Sequence, residues 1–260
     1  MSDTLVRFET RHGVVYAEID NYARRNALSG AIMKQLAEGT RQRMVDDGAS
    51  VVVVSGSGGV FSSGVDVTTV QARAEGEVIA PYLQYREFGN HLAAFGALPM
   101  VKIAKIEGFC FGAGVVLASY CDVRFAAEET MFCLPELDLG SPFGGSGFDR
   151  LAYLFGHTKI VDLILTARRF PAGEAATAGF LTDVVAGGDL ERRVAEYAEA
   201  LAVRPRFLLM QTILASQVAV AASVRTPSTE FEGAMLAAFD ERSRAQNHAF
   251  SARFTGGSKD

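Results

Sequence analysis

Residues 51–54 are four consecutive valines, set between Ser50 and Ser55-Gly56. A strand with one solvated face alternates apolar and polar side chains, so an unbroken apolar run suits a strand covered on both faces, as in a parallel sheet. Parallel strands need crossover connections, usually helical. Candidates lie on either side. Residues 6–9 and Val14–Ile19 have strand-like composition, with Gly13 between them as a hairpin turn. Ser29 is placed to cap a helix whose inward positions are Ile32, Met33, Leu36 and Met44. The pattern further predicts a helix over 66–95, a strand over 100–106, and a short apolar helix ending near Tyr120. Strands over 122–126 and 130–133, helices over 142–155 and 158–166, and a strand over 181–185 follow. Residues 190–254 read as helical almost throughout.

Strands alternating with helices and ending in a helical tail make an α/β architecture. No Pro/Ser-rich linker divides the 260 residues. The expected division is one main domain over 1–200 and a C-terminal helical segment over 201–260.

Composition narrows the partners. The net charge is −5 and no basic cluster tracks a phosphate backbone, which argues against nucleic acid. The most apolar stretch, 208–224, is broken by Gln211, Thr212, Ser216, Gln217 and Ser223, so it suits a helix packed in protein rather than a membrane span. The first ten residues lack the apolar core of a signal peptide, and a cytoplasmic protein is expected. Cys110, Cys121 and Cys133 are odd in number, without C-x-x-C spacing, and are expected as buried thiols. No two of the four histidines have helical i, i+4 spacing, and no metal site is expected.

Two glycine-rich strand-to-helix turns carry the chemistry, at 61–67 (F-S-S-G-V-D-V) and 108–116 (G-F-C-F-G-A-G-V-V). Glycine lets a backbone approach a ligand closely, and a helix start leaves N–H groups without partners. Two such amides aimed at one point would bind an oxygen that gains negative charge during reaction. Taken singly, each turn could equally be a tight connection. Glu136 sits inside the apolar run Leu134-Pro135-Glu136-Leu137. It is either a solvated loop residue or, in an apolar site, an acid whose raised pKa suits proton transfer.

With these pieces in this order, the chain resembles the enoyl-CoA hydratase/isomerase (crotonase) family over about residues 4–254. The resemblance rests on R-R-N-A-L-S (24–29), F-S-S-G-V-D (61–66), P-M-V-K-I-A-K-I-E-G-F-C-F-G-A-G (99–114) and C-D-V-R-F-A-A (121–127). P-E-L-D-L-G (135–140), the G-x-x-R-L segment at 147–151 and T-A-R-R-F-P-A-G-E-A-A-T-A-G-F-L-T-D-V-V (166–185) complete it. The resemblance implies a spiral of ββα turns followed by C-terminal helices, assembled as a homotrimer or hexamer, with the tail from about 205 to 254 packing between subunits and covering the acyl site. It implies an acyl-CoA substrate, with coenzyme A carried on that substrate and no separate cofactor. The amides of Val65 and Ala113 would grip the thioester oxygen. Ala113 stands where glycine is common, a departure that keeps the N–H. Gly64, Asp66, Val67 and Gly112 would line the CoA and acyl site. Arg24, with Arg25 second, would lie near the CoA phosphates, although an exposed arginine there could equally be a solvated surface residue.

The hydratases of this family use two glutamates. Here the first position is Val116 and the second is Glu136. Losing one positioned acid typically costs about 10²–10⁴ in rate. Shifting a double bond from C3 to C2 needs only one carboxylate, which removes a proton at C2 and returns it at C4, so Δ3,Δ2-enoyl-CoA isomerase is the leading reaction. A hydratase, or a biosynthetic dehydratase or decarboxylase, would need another second group. Asp138 is a candidate, since in an extended loop it would point the same way as Glu136. The aspartate of the family's dehalogenases has Gly144 in its place. A family member that binds acyl-CoA without catalysis is the alternative of a different class. A nicotinamide site fails because the third glycine of G-x-G-x-x-G is Leu117. A serine hydrolase fails because Ser146 is not in a G-x-S-x-G elbow.

Overall fold

The computed structural model describes residues 4–66, 79–143 and 146–223, together with Ala245, Gln246 and Ala249. Strands β1 (Val6–Arg11) and β2 (Val14–Ile19) form an antiparallel hairpin, turning through His12 and Gly13 at φ 50° and 74°. The hairpin feeds a parallel array of β3 (Val51–Gly56), β4 (Val101–Ile106), β6 (Val123–Ala127) and β9 (Asp183–Val185). The order across this sheet is β1-β2-β3-β4-β6-β9. A second sheet joins β5 (Phe109–Phe111), β7 (Met131–Cys133) and β8 (Phe170–Pro171) in that order.

The valine run is buried on both faces, as its composition requires. Val52 and Val54 join a core with Ile32, Met33 and Leu36 of helix α1 (Gly30–Asp46), Phe95 of α2 (Ile79–Gly96) and Leu117 of α3 (Ala113–Ser119). Val51 and Val53 point the other way, onto Leu190, Val194 and Ala198 of α7 (Leu190–Ala202) and Ile213 of α8 (Arg206–Ser223). Between them in the chain lie α4 (Ser146–Phe155), α5 (His157–Thr166) and α6 (Ala172–Thr177). Ser29 caps α1 as expected, its Oγ accepting the Ile32 N–H at 3.3 Å.

Several boundaries differ from the sequence reading, for reasons that are mostly tertiary. The turn expected over 108–114 contains β5, whose three residues pair with β7 in parallel. F-C-F has no local turn to announce it. Pro142 and Phe143 lie outside the helix expected from Pro142, which is described from Ser146. The helix expected from residue 66 is described from Ile79, and Val67 lies outside the described residues. The C-terminal helical run breaks at 203–205, where the chain bends by 108°. Pro205 has no N–H to continue the helical ladder there. Among the described residues no single helix is long and apolar enough to cross a membrane. Cys110, Cys121 and Cys133 are buried free thiols.

Candidate active site

The loop after β3 is stitched to the segment before α1. Leu28 N–H donates to the Gly64 carbonyl at 2.7 Å, and Asp66 N–H donates to the Leu28 carbonyl at 2.9 Å. This is an isolated parallel bridge between Leu28 and Val65. In a parallel bridge the central residue's own N–H faces away from the partner chain. Among the described residues the Val65 N–H has no hydrogen-bond partner.

The same loop lies along β5. Ser62 N–H donates to the Phe109 carbonyl at 3.2 Å, and Phe111 N–H returns to the Ser62 carbonyl at 3.0 Å. Gly64, at φ 99°, sits where the two turns meet. A Cβ there would stand 3.1 Å from the Phe111 carbonyl oxygen and 3.6 Å from Ala113 N. Ala113 is the first residue of α3, after Gly112 at φ 49° and ψ −119°, a conformation suited to glycine. Its N–H precedes the first helical hydrogen bond, and no partner for it exists among the described residues. Gly114 then lets α3 close on the loop, because a Cβ there would meet Ser62 Cβ at 3.0 Å. Two unpaired amides, from Val65 and Ala113, thus belong to turns in mutual contact.

Glu136 approaches from the end of β7. The Gly112 N–H donates to the Cys133 carbonyl at 2.9 Å, which brings the P-E segment beside the second turn. A Cβ on Gly112 would be 3.0 Å from Glu136 Oε1 and 3.8 Å from Pro135 Cδ. Glu136 as a whole is half-buried, but its Oε2 is shut off from solvent and unpartnered among the described residues. Burial pushes its pKa up to about 7, against a smaller lowering from a backbone hydrogen bond.

Asp138 does not share this environment. Residues 135–141 wind in successive turns, with Leu139 N–H to Pro135 O at 3.1 Å and Ser141 N–H to Glu136 O at 3.0 Å. Residues two apart in a helical turn point to roughly opposite sides, and Asp138 is exposed. At the other expected acid position Val116 is partly buried against the core. Its methyls lie 3.1 and 3.3 Å from where a Cβ of Gly147 would stand, and that same point is 3.7 Å from the Phe143 ring.

Arg24 and Asp66, both expected to line the CoA site, pair with each other at 2.6 Å. Asp66 is buried and Arg24 is 55% exposed on its side chain, so the guanidinium is held at the surface beside the turn. Phe95 is core, Phe88 and Phe143 are partly buried, and Phe109 and Phe111 pair at 5.1 Å between ring centroids.

Two residues escaped the sequence reading. Asn26 is fully buried at φ 54°, and its Nδ2 donates to the Ser57 and Val60 carbonyls at 2.9 and 2.7 Å. Ser62, also fully buried, donates from Oγ to the Asn26 carbonyl at 2.9 Å and accepts the Gly64 N–H at 3.1 Å. The available signal was Asn26 itself, a polar residue tolerant of left-handed backbone placed directly before Ala27-Leu28.

A mostly parallel main sheet, a small second sheet and a helical C-terminal region, with a shielded carboxyl beside the second of two glycine turns in mutual contact, define a crotonase-like α/β protein. The chain belongs to the enoyl-CoA hydratase/isomerase family, whose profile it matches over residues 9–252. It is 33% identical over 185 residues to a 2,3-dehydroadipyl-CoA hydratase of Escherichia coli (strain K12), covering 71% of this chain and 69% of that one. It is 28% identical over 186 residues to a mitochondrial Delta(3,5)-Delta(2,4)-dienoyl-CoA isomerase of Rattus norvegicus, covering 68% and 57%. A crystal structure of an enoyl-CoA hydratase/isomerase from Xanthobacter autotrophicus Py2 superposes with a TM-score of 0.83 at 25% identity, covering 97% of this chain and 94% of that one. The aligned stretch spans less than two thirds of some curated relatives, 62% of one from Mycobacterium leprae (strain TN).

Proposed function

We propose that this chain is an acyl-CoA enzyme that isomerises 3-enoyl to 2-enoyl thioesters. The Val65 and Ala113 amides receive the thioester oxygen, and Glu136 carries the proton. The observation that carries the reading is the asymmetry of the two acid positions. Glu136 has an Oε2 shielded and, among the described residues, unpartnered, with a pKa near 7, whereas Val116 is an apolar side chain partly buried against the core beside Gly147.

In the reaction the substrate's C2–H proton passes to Glu136, and the electron pair delocalises onto the thioester oxygen between the two amides. The same carboxyl then returns the proton at C4 as the double bond re-forms between C2 and C3. A carboxyl with a pKa near the operating pH both accepts and releases that proton readily. Arg24, fixed by Asp66, faces the CoA phosphates, and Gly64 and Gly112 give the thioester room. Subunits assemble as a homotrimer or hexamer, in the cytoplasm. The exposed apolar residues Phe207, Leu208 and Val218 of α8 suit such an assembly.

A hydratase is the second reading, favoured by the Escherichia coli relative's identity. It requires a second acid, and exposed Asp138 is a poor source. A paired assay on 3-hexenoyl-CoA and crotonyl-CoA tests the choice. Conversion of the first without hydration of the second is the expected result. Efficient hydration of crotonyl-CoA would overturn the isomerase, and specific acyl-CoA binding without exchange of C2 protons would leave a binding protein.

A further inference from the structure

The Val65 amide can serve as a donor only if its peptide plane is held still, because Val65 is 38% exposed and packs little side chain to fix it. The holding is done beneath it. The Asn26 carbonyl receives the Ser62 hydroxyl at 2.9 Å, and the same hydroxyl accepts the Gly64 N–H at 3.1 Å. Ser62 therefore joins the backbone before α1 to the Ser63–Gly64 peptide, next to the Gly64–Val65 peptide that carries the Val65 N–H. Asn26 is in turn fixed on both sides. Its Oδ1 accepts the Asn21 N–H at 3.1 Å and the Ser57 hydroxyl at 3.3 Å, while its Nδ2 spans the Ser57 and Val60 carbonyls. The Leu28 bridge closes the other end of the turn by binding the Gly64 carbonyl and the Asp66 N–H. The amides on either side of Val65 are thus both engaged, and among the described residues the Val65 N–H is left over.

We propose that Ser62, held by Asn26, is a positioning residue that anchors Gly64 from its N–H side, as Leu28 does from its carbonyl, so that the Gly64–Val65 peptide presents the Val65 N–H to the thioester oxygen together with Ala113. The proposal rests on the two-amide reading given above. Ser62 lies too deep to touch substrate, being fully buried with Gly114 of α3 packed on its Cβ. Without its hydroxyl the buried Gly64 N–H loses its acceptor, and an unpaired buried donor favours a shifted turn that satisfies it. A misplacement of about 1 Å at a reacting group can cost roughly 10²-fold in rate.

The test uses the full-length protein and butyryl-CoA carrying a ¹³C-labelled thioester carbonyl, which binds without reacting. In the unaltered protein, isotope-edited infrared spectroscopy should show the carbonyl stretch moved to lower frequency on binding. Absence of that change would refute the two-amide reading itself. With the change present, Ser62→Ala should lose a large part of it and drop kcat about 10²-fold, with KM little changed. Ser62→Cys, which keeps a weak donor and acceptor in the same space, should recover part of both. An undiminished carbonyl displacement in a folded Ser62→Ala protein would show that Ser62 is only a packing residue. If Ser62→Ala does not fold, Ser62→Cys carries the test, and a carbonyl frequency equal to that in the unaltered protein together with unchanged kcat would overturn the proposal.

Discussion

Glu136 lays its carboxylate directly against the backbone of Gly112, so closely that a Cβ on Gly112 would stand 3.0 Å from Oε1. The proposed proton carrier and the turn that begins α3 are therefore one packed unit. Gly112→Ala introduces a side chain at φ 49° and ψ −119°, a region costing of order 1–3 kcal/mol for non-glycine residues. The methyl also pushes the carboxylate out of place. The expected outcome is a lower unfolding midpoint in urea together with a fall in kcat, and an Ala variant with unaltered kcat would separate Gly112 from the acid.

Glu136→Gln keeps the shape and removes the titrating group. Turnover of 3-hexenoyl-CoA should fall by about 10²–10⁴, while affinity for CoA, read by calorimetry, stays nearly the same. In the unaltered enzyme kcat/KM should decline as pH falls through about 7, because proton removal needs the carboxylate form and burial holds the pKa there. Full activity in the glutamine variant would remove Glu136 from the mechanism.

The same titration has a stability consequence. Glu136 has a folded pKa of about 7, above the ordinary value of 4.5, so the folded state binds the proton more tightly than the unfolded chain. Its contribution is fully present below about 4.5 and is lost as pH rises through about 7. A few kcal/mol at most is involved, since each tenfold difference in proton affinity between the two states corresponds to about 1.4 kcal/mol. Thermal melts between about pH 5 and 8 should therefore show Glu136→Gln gaining stability relative to the unaltered protein as pH rises. A constant difference across that range would mean the carboxyl titrates normally.

Val116→Glu tests whether the second acid position can be rebuilt. The longer, charged side chain must fit where the Val116 methyls already lie close against Gly147 and the core. Overpacking and unpaired polar burial each cost roughly 1–3 kcal/mol. The variant should melt at lower denaturant and gain no efficient hydration of crotonyl-CoA. Robust hydration in a stable Val116→Glu protein would show that this one residue separates the two reactions.

Much of the fold was legible in local pattern. The valine run announced a strand covered twice, and the structure divides it between two cores. Ser29 announced a helix start, and the three-dimensional cap is there. Both follow from short-range chemistry: side-chain alternation in a strand, and a hydroxyl within reach of an amide three residues on.

The sequence by itself also singled out Glu136 and the two glycine turns, and the family resemblance it carries marked Val116 as the place of a missing acid. Tertiary structure decided what it could not. β5 and β8 exist because β7 offers them partners, not because F-C-F or F-P prefer to be extended. Asp138 faces solvent while Glu136 does not, because the segment turns instead of extending. Asn26 and Ser62 matter through hydrogen bonds spanning 31 to 36 residues. A residue's type sets which bonds it can make, but only the folded chain sets which groups are close enough to make them, and which N–H is left without one.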